Sequence, residues 1–130
     1  MAHPFEQVVT FLYVDDLERS REFYEGVLRL ALTLDQGQCR IYRVTDTSFV
    51  GVCHGPDKAG RSDGVMLAFV TDEVEETFAK AVASGADVVQ PPGYNRRFNI
   101  FHAIVCDPDG HRIELQQFRD PRWPRPDDAG

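Results

Sequence analysis

Residues 7–14 alternate as an extended strand: Val9, Phe11 and Tyr13 fall on one side, and Val8, Thr10, Leu12 and Val14 on the other. Both faces are largely apolar, so one of them needs a helix as cover. A helix is predicted from Asp15, because an acidic residue with Glu18 three positions on resembles a capping box. Phe23, Tyr24, Val27, Leu28 and Leu30 supply its apolar stripe, and Glu25 and Arg29 are spaced for an i, i+4 ion pair. Gly37 marks a turn, after which residues 38–44 and 48–53 read as strands joined by Thr45-Asp46-Thr47. Residues 54–64 are polar, contain glycine and lack periodicity, as a linker does.

The pattern then repeats. The run Val65-Met66-Leu67-Ala68-Phe69-Val70 matches Val9 to Val14 at an offset of 56 residues, and Asp72 with Glu75 repeats the helix start. Val74, Phe78, Ala81 and Val82 form a second stripe, stopped at Gly85. A strand over 86–90 and a loop over 91–99 lead to a closing hairpin, 101–118, built around Asp107-Pro108-Asp109-Gly110. Pro108 presets φ for the turn, the aspartates can accept from nearby amides, and Gly110 admits positive φ. Beyond it, Ile113 and Leu115 point one way and Arg112, Glu114 and Gln116 the other. The class is therefore α+β, with two tandem βαβββ units at about 7–53 and 64–118 inside one domain over 6–118. An extended tail, 119–130, is pinned by Trp123 and frayed beyond it.

Composition narrows the function. The chain has 130 residues, 42% hydrophobic and 27% charged, and carries a net charge of −7 with 14 basic side chains against 21 acidic ones, which excludes a basic nucleic-acid-binding face. Its apolar runs fall short of the ~18 residues that span a bilayer, and no basic segment followed by an apolar one opens the sequence. No membrane partner and a cytoplasmic location are expected. Cys39, Cys53 and Cys106 are odd in number and widely spaced, so reduced thiols are expected.

The closing run Asp107-Pro108-Asp109-Gly110-His111-Arg112-Ile113-Glu114-Leu115, together with Val14-Asp15-Asp16-Leu17-Glu18-Arg19-Ser20-Arg21-Glu22-Phe23-Tyr24-Glu25, resembles the vicinal-oxygen-chelate superfamily, the group of glyoxalase I, bleomycin-resistance proteins and extradiol dioxygenases. The resemblance implies a mixed sheet curled around a cleft and a homodimer whose two chains complete each cleft. It also implies four metal-ligand positions, which fall here on Val9, Gly51, Val65 and Glu114. Only Glu114 has a side chain that can hold a cation. No cofactor is therefore expected, and a divalent metal only if ligands are displaced from the family positions.

What remains is a cleft for a small, partly aromatic organic molecule, lined by Val9, Phe11, Tyr13, Cys39, Leu67, Phe69, Ile104 and Arg112, with His102 and Glu114 as the polar pair. If the hairpin turn takes in His111 as a fifth residue, Cys106 opposes Arg112, Ile104 opposes Glu114 and His102 opposes Gln116, a diagonal step from Glu114. A four-residue turn would send His102 to the helix side. On the cleft face, His102 is either a general base oriented by Glu114 or a hydrogen-bonded member of a binding wall. The alternatives are thus a binding protein and a lyase, isomerase or dioxygenase-type enzyme. Cys39 precedes Gly51 by twelve residues as His102 precedes Glu114, so the duplication gives it the equivalent place. His3, His54 and His111 are expected in solvent. Tyr94, Arg96, Arg97 and Phe98 form either a lid or a mobile surface loop.

Overall fold

A computed structural model describes residues 3–125. Each half forms its own four-stranded mixed sheet. In the first half β1 (Val8–Val14), β2 (Ala31–Asp35), β3 (Cys39–Thr45) and β4 (Ser48–His54) lie in the order β1-β4-β3-β2. In the second, β5 (Met66–Val70), β6 (Val88–Asn95), β7 (Ile100–Cys106) and β8 (Arg112–Phe118) lie in the order β5-β8-β7-β6. The outer connection of each half pairs its first and last strands in parallel, and the rest of each ladder is antiparallel. The βαβββ duplication is present, as two open sheets that do not join into one curled sheet within the chain.

The helical layer holds the halves together. Helix α1 (Leu17–Arg21) starts at Asp16, whose carboxylate accepts from the amides of Glu18 at 2.9 Å and Arg19 at 3.2 Å. The cap is thus one residue later than Asp15, and Glu18 points instead to Arg40. The helix widens into a π-helical segment, Glu22–Val27, where the Leu28 amide reaches back to Phe23. The broader turn carries Phe23, Tyr24 and Val27 into the core. Arg29 takes positive φ and ends the segment, so Glu25 pairs with Arg21 and accepts from the Tyr42 hydroxyl rather than meeting Arg29. Helix α2 (Val74–Ala83) ends at Gly85, whose φ of 91° suits a residue without Cβ.

One core, made of Leu12, Val14, Phe23, Tyr24, Val27, Tyr42, Val50 and Val52 from the first half and Ala81, Val105 and Ile113 from the second, lies between the two sheets. Three polar clamps from the 107–111 turn reinforce it. Tyr24 donates to Asp107 at 2.7 Å, Asp109 accepts from the Asp15 amide and the Arg19 guanidinium, and His111 Nε2 meets the Tyr13 carbonyl at 2.7 Å. His111 is 2% exposed, which corrects its expected place in solvent: a carbonyl can only accept, so Nε2 carries the proton and Nδ1 faces the Ser62 hydroxyl at 2.6 Å. Burial pushes the Asp107 carboxyl up, against the lowering effect of the Tyr24 hydrogen bond, and pushes the Tyr24 phenol well up.

Two further expectations are corrected. Residues 91–95 are strand: β6 runs on to Asn95 with register shifts and leaves only 96–99 as a turn. Tyr94 is tied to Asn99 and Arg97 lies over the Phe98 ring, so this stretch is an edge hairpin and not a long lid. Cys39 and Cys53 form a disulfide, leaving Cys106 as the free thiol among the described residues. They are register partners on β3 and β4. The His54 amide bonds the Gln38 carbonyl next to them, so the cysteines occupy a non-hydrogen-bonded pair, where side chains come closest. In the tail, Trp123 stacks on Phe118 with ring centroids 3.8 Å apart; the stretch beyond 125 lies outside the described residues. No helix among the described residues is long and apolar enough to cross a membrane.

Candidate functional site

The sheet faces turned away from the helices are the candidate cleft walls. In β1, Leu12 and Val14 are buried against the helical core while Phe11 and Tyr13 stay 50% and 40% exposed. Alternation assigns Val9, Phe11 and Tyr13 to the outer wall. Their register partners Phe49, Gly51 and Cys53, and beyond them Arg43, Ile41 and Cys39, complete it. Arg43 is its one charged member, lying over the Phe49 ring. A Cβ built on Gly51 would meet the Phe11 ring at 2.5 Å: two carbons on one side of the ring occupy the space beside a position that has no side chain.

The second wall is polar. The closing hairpin has the five-residue turn, with Cys106 opposite Arg112, Ile104 opposite Glu114 and His102 opposite Gln116. His102 Nδ1 and Glu114 Oε2 are 2.7 Å apart, and the two side chains are 13% and 9% exposed. A carboxylate accepts, so Nδ1 carries the proton in this contact and Nε2 is left toward the cleft with no partner among the described residues. Such a pair fixes the orientation of the imidazole ring and keeps Nε2 clear of the carboxylate. Cys39 holds the place equivalent to His102, one diagonal step from Gly51, and its sulfur is in the disulfide.

Leu67 and Phe69 are not in the cleft. Both pack against the helical core, and the β5–β8 register puts Met66, Ala68 and Val70 beside Arg112, Glu114 and Gln116 on the outer face. Phe11 opposite Gly51 is equivalent to Ala68 opposite Glu114, so the halves repeat at 57 residues and not 56. The partner of Val9 is then Met66, and Val65 drops out. The four positions at which the resemblance implies metal ligands become Val9, Gly51, Met66 and Glu114 in this register. One carboxylate and one thioether are a poor donor set for a catalytic divalent ion, which takes three ligands of the His, Asp, Glu or Cys type. The ring of Phe11 further fills the space a side chain at 51 would need. The residues present do not fit the family metal.

Residues 5–115 match the model of the Glyoxalase/Bleomycin resistance protein/Dioxygenase superfamily. Over 120 residues, 83% of this chain and 87% of the relative, the sequence is 28% identical to a lactoylglutathione lyase of Neisseria meningitidis serogroup A. It is equally similar to a probable lactoylglutathione lyase of Synechocystis, covering 92% of that protein. Among solved structures, a glyoxalase-related enzyme from Fulvimarina pelagi superposes with a TM-score of 0.76 at 22% identity, covering 95% of this chain and 94% of that one. The fosfomycin resistance protein FosX of Mesorhizobium loti superposes with a TM-score of 0.68 at 21% identity, over 90% and 93%; at these identities the likeness is one of fold. With the duplicated βαβββ halves, the turn that clamps them and a family match over most of its length, the chain belongs to the glyoxalase/bleomycin resistance protein/dioxygenase superfamily.

Proposed function

We propose that this member binds a small, partly aromatic organic molecule without the family metal, between an apolar wall (Val9, Phe11, Tyr13, Ile41) and a polar one (His102, Ile104, Arg112, Glu114). The observation that carries the reading is the Phe11 ring occupying the space of a side chain at Gly51, which puts aromatic surface where the resemblance would place a metal ligand. Glu114 then receives a donor from the ligand, and His102 holds the carboxylate in place. The walls belong to different sheets that do not join within one chain, so the reading includes a homodimer in which the apolar wall of one chain meets the polar wall of the other. It also includes a cytoplasmic location, which the redox state of Cys39 and Cys53 in rapidly quenched lysates tests: a bonded pair in the cell points to an oxidising compartment.

A second reading is favoured by the unpartnered Nε2 of His102. With Glu114 orienting the ring, that nitrogen can take a proton from a substrate carbon or hydroxyl, as a lyase or isomerase requires. Calorimetry and a product assay with one identified ligand separate the two. For a binding protein, Glu114→Gln weakens affinity by roughly ten- to a hundredfold, the loss of one charged hydrogen bond, and His102→Ala weakens it modestly. For an enzyme, His102→Ala lowers turnover by about a hundredfold or more with binding largely kept. Unchanged affinity and turnover in both variants would remove this pair from the site.

A further inference from the structure

A cavity of about 860 Å³ opens where the linker between the halves passes the start of β8, with Arg61, Asp63, Met66, Gly110 and Arg112 among its lining. Met66 and Arg112 are register partners on the polar wall. Arg112 shares its face with Glu114, two residues along, a separation of roughly 7 Å. The cavity therefore runs into the row that holds the Glu114–His102 pair.

The guanidinium groups are what set this cavity apart. Elsewhere in the chain Arg19 pairs with Asp109, Arg21 with Glu18 and Glu25, Arg40 with Glu18 and Asp35, and Arg122 with Asp120. The guanidinium groups of Arg61 and Arg112, like those of Arg29 and Arg96, have no hydrogen bond or ion pair among the described residues, and these two line one cavity together. Asp63 is the single carboxylate in the lining, and the Ser62 hydroxyl is committed to His111. Two permanently charged guanidinium groups and one acid in the same lining give the pocket a net positive charge in an acidic protein, and guanidinium forks match the paired oxygens of an oxyanion.

We propose that this cavity is an oxyanion subsite that takes the carboxylate, phosphate or phosphonate end of the ligand. The site's ligand class is then a small organic acid with an apolar or aromatic body and a hydrogen-bond donor about 7 Å from the acid group, the spacing from Arg112 to Glu114. The placement of the body rests on the cleft reading above; the anion subsite does not.

The test is titration calorimetry of the full chain at low ionic strength with inorganic phosphate, phenyl phosphate, benzoate and phenol. The three anions bind and phenol does not bind measurably, and the order of phenyl phosphate and benzoate identifies which acid group the pocket prefers. Arg61→Gln/Arg112→Gln lowers phosphate affinity at least tenfold, Asp63→Asn raises it, and Glu114→Gln does not lower it. Arg29→Gln, which removes a cation outside the cavity, leaves it unchanged. Phosphate affinity that survives the double arginine variant, or that falls as much with Arg29→Gln, overturns the subsite. Arginine-dependent phosphate binding with no gain from a phenyl group supports the subsite and overturns the aromatic cleft.

Discussion

Single side chains carry several of the decisive effects. His111 joins the two halves by satisfying a buried carbonyl and a hydroxyl at once, and His111→Ala should cost about 2–3 kcal/mol through those unpaired groups, read from urea denaturation. Asp107 acts in the opposite sense to a salt-bridged acid. Its carboxyl is held above the usual range by burial, so the folded protein takes up its proton at a higher pH than the unfolded chain does. Its contribution to stability therefore rises as pH falls through the folded pKa toward the ordinary aspartate value and is absent above the folded pKa; in Asp107→Asn that component of the slope should vanish from urea midpoints measured across the mildly acid range. The Glu114–His102 contact was legible in one of two readings, because hairpin register follows from turn length and the sequence alone left a four-residue turn open; the observed register is that of the five-residue turn. Leu67 and Phe69 were misplaced because all of residues 65–70 are apolar, so periodicity gives no phase there. The helix starts held the missing information: Asp72 and Glu75 follow Asp15 and Glu18 by 57 residues, one more than the strand match.

Among the elements, the π-helical segment and β3 are locked through two phenols. Tyr24 and Tyr42 stack at 6.1 Å, Tyr24 donates to Asp107 and Tyr42 to Glu25. Burial pushes Tyr42 up to about 12 and Tyr24 up as well. Unfolded tyrosines ionise near pH ~10, so the stabilisation is complete below that pH and is lost as pH rises through the folded values. Alkaline denaturation followed by phenolate absorbance should show two of the four tyrosines ionising only as the fold is lost. The β3–β4 disulfide closes a loop of 14 residues, for which chain entropy sets an upper figure of about 3 kcal/mol. The ladder already holds both strands, and Cys39→Ser/Cys53→Ser should fall below that figure in chemical denaturation. Cysteine spacing alone did not reveal this bond. It follows from the β3–β4 register, in which the short turn after Thr45 brings residue 39 opposite 53.

For the whole molecule, the outer faces remain the largest unfinished business. Phe11, Tyr13, Leu34, Met66 and Val70 are each at least 40% exposed, on sheets whose other faces carry the buried core. Light scattering at micromolar concentration should give twice the chain mass, and a monomer mass would remove the two-wall cleft. The duplication was legible because it repeats turns and caps, which are local signals. The way the halves meet was not: the turn that clamps them works through contacts some 80 to 100 residues apart in sequence.

The contact of Phe11 with the space beside Gly51 makes the two positions a coupled pair. Any side chain at 51 needs the ring to leave, and a ring that leaves exposes a gap that only a larger residue at 51 fills. Substitutions toward a metal site are therefore epistatic: Val9→His/Gly51→Glu/Met66→His should bind nickel weakly while Phe11 remains, and more tightly once Phe11→Ala is added, as metal-titration calorimetry would read. The Phe11 ring and a side chain at 51 are alternative fillings of one space, so the design needs both changes together.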